Sequence, residues 1–332
     1  MIFAELFLFL IVILIAAEVF TNALEHLGEK LGISEGVTGS LFAAVGTALP
    51  ETSVPLLALM AGTSNAHLNE EIGVGAILGA PLMLSTLSIS LLAFAVLKNR
   101  KAHGHFHPER TGLKRDLDFF IVAFSFATLA LFLPHGGVMR YAIGFVMVMI
   151  YFVYIMLTLR ASKALVADGH ATAAESPMFL CRIGLPNYMA VVVAQLLLGL
   201  MLLVLGAKGF ISGIEGASEL LGITPLLLSL LVIPIATELP EKVNSILWVR
   251  KGKDTLAFGN ITGALVFQGT LLPAIGIMLT PWVPQKEVFA GVMITLLGVL
   301  WLRWMVSRGQ LRVWHVWVNG LMYLAYLAFV LS

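Results

Sequence analysis

The stretch Gly46-Thr47-Ala48-Leu49-Pro50-Glu51 returns, at an offset of 190 residues, as Ala236-Thr237-Glu238-Leu239-Pro240-Glu241. Each copy sets a proline directly before a glutamate, and a threonine four residues before that glutamate. Proline has no N–H to donate, so Pro50 leaves the carbonyl of Gly46, and Pro240 that of Ala236, without its helical partner. A break or kink that frees backbone oxygen is expected at both places. Thr47 with Glu51, and Thr237 with Glu241, are i,i+4 pairs on one helix face. Each copy therefore gathers hydroxyl, carboxylate and carbonyl oxygen, a donor set that suits calcium, sodium or manganese better than zinc or copper. A plain transmembrane kink would explain the prolines but not the glutamates. A carboxylate at mid-bilayer costs about 2.5 to 3.5 kcal/mol, and this chain places one there twice.

The surroundings of both copies are apolar. Of 332 residues, 59% are hydrophobic and 12% charged, with a mean hydropathy of +0.96. So few charges cannot cover a water-soluble surface of this size, which makes the lipid bilayer the expected solvent. A net charge of +1 gives no footprint for nucleic acid, and the lone cysteine, Cys181, excludes an internal disulfide framework. The first residues carry Glu5 in place of a basic region, so they read as a retained span and not as a cleaved signal.

A bilayer core needs roughly 20 apolar residues per helix. Runs of that kind fall at about 2–22, 37–62, 72–97, 116–133, 140–160, 189–209, 223–249, 256–280, 286–305 and 312–331, which makes ten spans. Sixteen of the twenty Lys and Arg collect in the loops on one side, and only Arg140, Lys208 and Lys286 on the other. By the positive-inside rule the rich side is cytoplasmic and both termini are non-cytoplasmic, in a multi-pass protein of the cell membrane.

The 190-residue offset also matches Glu25, Glu29, Leu31, Gly32, Ile33 and Gly62 to identical residues. Such order among charged and glycine positions marks an internal repeat. Span 1 maps onto span 6, an odd number of crossings apart, so the halves enter the membrane from opposite sides. The expected fold is an all-α integral membrane protein of ten helices, arranged as two inverted five-helix repeats with helices 2 and 7 broken. Residues 1–160 form one half, 161–188 a cytoplasmic linker and 189–332 the other half, packed as a single transport unit. Inverted repeats of this kind bind substrate near the midplane.

These motifs resemble the cation/calcium exchanger superfamily. The resemblance rests on Gly46 to Glu51, Ala236 to Glu241, and the following stretches Gly73-Val74-Gly75-Ala76-Ile77-Leu78-Gly79 and Gly259-Asn260-Ile261-Thr262-Gly263. It implies cation antiport, usually of calcium, with Glu51 and Glu241 as central ligands, and movement of spans 1 and 6 across the core. The chain departs from the family where Ser and Asn or Asp usually stand, with Ala80, Pro81, Ala264 and Leu265 in their places. Ala48 and Glu238 replace a common serine.

The expected metal-binding set is therefore Glu51, Glu241, Glu238, Thr47, Thr237 and Asn260, with the carbonyls of Gly46 and Ala236. Glu238 has two readings: a third carboxylate of the site, which would bring proton competition, or an i,i+4 partner of Lys242. Asn260 and Gln268 either supply neutral oxygens or bond between helices. The alternating imidazoles of His103, His105 and His107 read as a solvated loop or a transition-metal site. No resident cofactor is expected. The partners are inorganic cations, a divalent exchanged for sodium or protons, and lipid; the oligomeric state is unread. A passive cation channel is the alternative to an antiporter. An intramembrane enzyme ranks last, because neither a zinc-protease pair nor a nucleophile elbow is present.

Overall fold

The computed structural model describes residues 2–31, 43–61, 65–166, 176–309 and 311–332. Among these the secondary structure is helical, with a single isolated bridge between His105 and Arg312. In chain order the helices are α1 (Ile2–Lys30), α2 (Ala43–Ala61), α3 (Ala66–Met83), α4 (Ile89–Arg100), α5 (Arg110–Ala130), α6 (Val138–Val166) and α7 (Phe179–Arg182). They continue as α8 (Met189–Leu221), α9 (Pro225–Thr237), α10 (Leu239–Arg250), α11 (Asp254–Leu279), α12 (Lys286–Ser307) and α13 (Val313–Val330). Seven helical stretches among the described residues are long and apolar enough to cross a membrane, and α2 and α9 contribute shorter apolar segments. The α5 helix falls short because Arg110, Lys114, Arg115, Asp116 and Asp118 crowd its first turns.

The two expected breaks behave differently. Around Glu238 the break is present: α9 ends at Thr237, α10 starts at Leu239, and Glu238 sits between them at φ −90°, ψ 9°. Pro240 lies in the first turn of α10, where a missing N–H costs nothing. The break expected at Pro50 is corrected by the structure, since α2 runs as one helix from Ala43 to Ala61. A single proline removes one backbone bond, and membrane helices tolerate that where neighbours meet the freed groups. A different interruption replaces it. Two residues after Pro81, α3 gives way to a π-helical turn over Leu84–Ser88 before α4 begins.

The chain packs as two compact units, Met1–Asn69 with Ile155–Gly222, and Glu70–Tyr154 with Ile223–Ser332. In the first unit α1 lies along α8, and a Cβ added at Gly209 would come within 2.3 Å of the Phe9 ring. Small residues at such a seam let membrane helices meet closely. Buried Gln195 and Asn22 lock this pair: Gln195 Nε2 donates to Asn22 Oδ1 at 2.9 Å and to the Val19 carbonyl at 3.1 Å. The same two side chains accept the N–H groups of Phe179 and Leu180.

In the second unit α11 packs against α5 and α10, α12 against α5 and α13, and α13 against α4. Buried Arg140 donates to the carbonyls of Leu133, Thr280 and Trp282. Asp254 receives Arg100 through two bonds of 2.7 and 2.8 Å and the His107 N–H at 2.8 Å. Phe106 is buried and bonds through its N–H to the Leu311 carbonyl. The backbone of the histidine stretch is thus tied to the fold, while His103, His105 and His107 themselves are exposed, as the solvated reading expects. Glu109 caps α5 by accepting from the Thr111 and Gly112 N–H groups. Burial raises its pKa, but those bonds and the nearby Arg115 lower it by more, so it ionises below the usual glutamate range.

In this unit α3 also comes close to α9. A Cβ at Gly79 would lie 2.1 Å from the Leu230 carbonyl oxygen, and one at Gly75 would lie 2.0 Å from Ser229 Oγ. Gly79→Ala must push backbone against backbone and is expected to destabilise by about 1 to 3 kcal/mol. Gly263→Ala meets only Tyr154 Oη, at 4.0 Å, and should be near neutral. Thermal unfolding in detergent compares them, and equal melting of the two variants would rule out the contact.

Candidate cation site

Glu51 stands mid-way along α2 and is 6% exposed in the first unit. Gly46 and Thr47 precede it by about one helical turn on the same helix. The second copy straddles the α9–α10 break, with Ala236 and Thr237 closing α9 and Glu241 in the first turn of α10. The side chains of Thr47 and Glu241 lie outside the described part of the structure.

Thr237 is buried and donates its hydroxyl to the Ile233 carbonyl at 3.0 Å. That bond uses the only proton on Oγ1 and leaves its lone pairs as the atom's outward chemistry. A hydroxyl held this way can accept or coordinate but has no proton left to give.

Glu238 is fully buried at 0% exposed, and its Oε2 lies 3.2 Å from Lys242 Nζ. Glu238 and Lys242 thus form the i,i+4 ion pair that one of the two sequence readings describes. One turn of α10 is what brings a lysine four residues on to the same face. The same ammonium donates to the Pro234 carbonyl and to Met83 Sδ, each at 2.9 Å. Met83 comes from α3, which the spacing of residues along α10 could not have revealed.

Asn260 on α11 donates Nδ2 to Ser245 Oγ of α10 at 3.0 Å. This is the interhelical bond weighed for it, and the amide oxygen is the atom a cation would take. Gln268 is fully buried two turns further along α11. Among the described residues, no three His, Cys, Asp or Glu come together as metal ligands. The donor atoms that these residues offer are carboxylate, hydroxyl, amide and carbonyl oxygen, the types that suit a hard cation.

A family model described as sodium/calcium exchanger protein matches residues 1–160 and 191–332. The chain belongs to the sodium/calcium exchanger family. It is a membrane transporter, a cation/calcium antiporter and not an enzyme. The inner membrane protein YrbG of Escherichia coli (strain K12) is 23% identical over 274 residues, covering 82% of this chain and 78% of YrbG. The fold is similar to the crystal structure of the H+/Ca2+ exchanger CAX, with a TM-score of 0.72 at 19% identity, covering 99% of this chain and 82% of that one. It is also similar to the sodium-calcium exchanger NCX_Mj, with a TM-score of 0.56 at 18% identity, covering 99% of both chains.

The Asn260–Ser245 bond of the exchanger can be weighed by a double-variant cycle. Asn260→Ala and Ser245→Ala are expected to couple by about 0.5 to 1.5 kcal/mol in detergent unfolding. Additive losses would show that α10 and α11 are not joined there.

Proposed function

We propose that this exchanger moves calcium or a similar divalent cation against a monovalent ion, sodium or proton, by alternating access to a midplane carboxylate site. The observation that carries this reading is the duplicated Thr-x-x-Pro-Glu segment in apolar helices, with Glu51 buried on one copy. Glu51 and Glu241 bind the cation, helped by the hydroxyls of Thr47 and Thr237, by the carbonyls of Gly46 and Ala236, and by the Asn260 amide. A permanently lipid-embedded carboxylate is costly, and a cation that binds and leaves is what makes it useful.

The ten spans read from the sequence form two inverted five-helix repeats, with both termini on the non-cytoplasmic side. Support comes from the matched residues at an offset of 190 and from the loop cations. The neighbours bear on the ions, since CAX is an H+/Ca2+ exchanger and NCX_Mj a sodium-calcium exchanger. The α1 and α8 helices, paired in one compact unit, are the elements that move in this cycle.

Purified protein in vesicles gives the test. Divalent uptake driven by an outward sodium or proton gradient should fall roughly 100-fold or more in Glu51→Gln and in Glu241→Gln. Uptake that follows membrane voltage with no counter-ion would identify a channel instead. Exchange that survives both substitutions would remove these glutamates from the site.

A further inference from the structure

Lys242 is the one lysine among the described residues that the fold buries, at 8% exposed. An ammonium has three donors. Here the ammonium donates to the Pro234 carbonyl and to Met83 Sδ, each at 2.9 Å, and forms an ion pair with the Glu238 carboxylate at 3.2 Å. The Pro234 carbonyl belongs to the last turn of α9, just before the break, and it also accepts the Glu238 N–H at 3.2 Å. The C-terminal end of a helix carries partial negative charge and favours a cation. Carboxylate, carbonyl and helix end thus surround one positive charge, supplied from within the chain.

A lysine placed only to hold two helices together would need no such cage, and a buried pair is seldom worth its desolvation. The arrangement is instead that of a bound monovalent ion whose place is taken by a tethered one. Its position fits that role, because Lys242 adjoins Glu241 and its partner Glu238 lies in the second copy of the repeated motif.

We infer that the Pro234 carbonyl, the Glu238 carboxylate and Met83 form a monovalent-cation subsite that the Lys242 ammonium permanently fills. This rests on the exchanger reading above and sharpens it. Glu238 is the counter-ion of Lys242 and not a ligand of the transported cation. The divalent site then holds one carboxylate from each motif copy, and no free monovalent ion enters the subsite of Pro234, Glu238 and Met83 during the cycle.

Removing the side chain should reopen the subsite to a free ion. The experiment uses the full chain in detergent in a Glu51→Gln background, so that the divalent site does not contribute to the readout. Thermal unfolding is measured in choline chloride and in equimolar lithium, sodium or ammonium chloride. With Lys242 intact the salts should give one melting temperature. With Lys242→Ala added, one or more of the small cations should raise it by about 4 °C or more over choline. Adding Glu238→Gln should abolish that rise.

A Lys242→Ala protein that melts alike in all four salts overturns the inference, as does a cation response that persists with Glu238→Gln. Where the variant is too unstable to purify in choline, its recovery in a small-cation buffer counts in favour, and failure in every buffer counts against. The exchanger reading is judged separately. Calcium stabilises the otherwise unaltered chain and not Glu51→Gln if that reading holds, and it stabilises both equally if it fails, whatever Lys242 does.

Discussion

Hydrocarbon offers a polar group neither a hydrogen bond nor screening, so each one that enters the membrane must be met by the protein itself. Several hydroxyl side chains among the described residues meet this demand locally. The hydroxyls of Thr21, Ser125, Thr128, Thr237, Thr270, Thr280 and Thr295 all turn back onto the carbonyl four residues earlier. Larger groups need long-range partners. Arg140 reaches three carbonyls, and Gln195 and Asn22 satisfy one another together with the backbone of Val19, Phe179 and Leu180. Against that background the carboxylates of the repeated motif stand out, because a carboxylate has no proton with which to bond back to its own helix. Its partner must be another residue or a cation.

The membrane class and the helical runs were legible because lipid imposes one composition and one length. The break at Glu238 was legible for a local reason, since Pro240 sits in the chain where a new helix can start. Pro50 carries the same signal and yields a continuous α2, because a missing bond permits an interruption without compelling one. The π turn at Leu84–Ser88 left no pattern to read. The i,i+4 spacing made the Lys242–Glu238 pair readable, but Met83 lies 159 residues away and enters only through the fold. The same holds for the glycines of 73–79. As a motif they looked alike, and only the structure shows that Gly75 and Gly79 are pressed against α9.

Where the resemblance leads one to expect oxygen-bearing side chains, this exchanger has Ala80, Pro81, Ala264 and Leu265. Ala80 and Leu265 are buried. Polar chemistry is concentrated instead at the α9–α10 break, where an acid and a base arrive together.

The π turn has its own consequence for how the α3–α4 rod is phased. One additional residue in a helical turn rotates everything beyond it by roughly 100° relative to an uninterrupted α-helix. Before the turn, Leu82 and Met83 join a cluster with Leu227, Leu230, Tyr323 and Tyr326. Beyond it, Ile89, Leu92, Ala93 and Val96 are the buried face, and Ser90 lies under Gly320 of α13. Within the turn, the Ser85 carbonyl is released to accept from Asn319 at 2.8 Å. The α3–α4 stretch is therefore two differently clocked half-helices, and α13 is keyed to both through the single residue of slip.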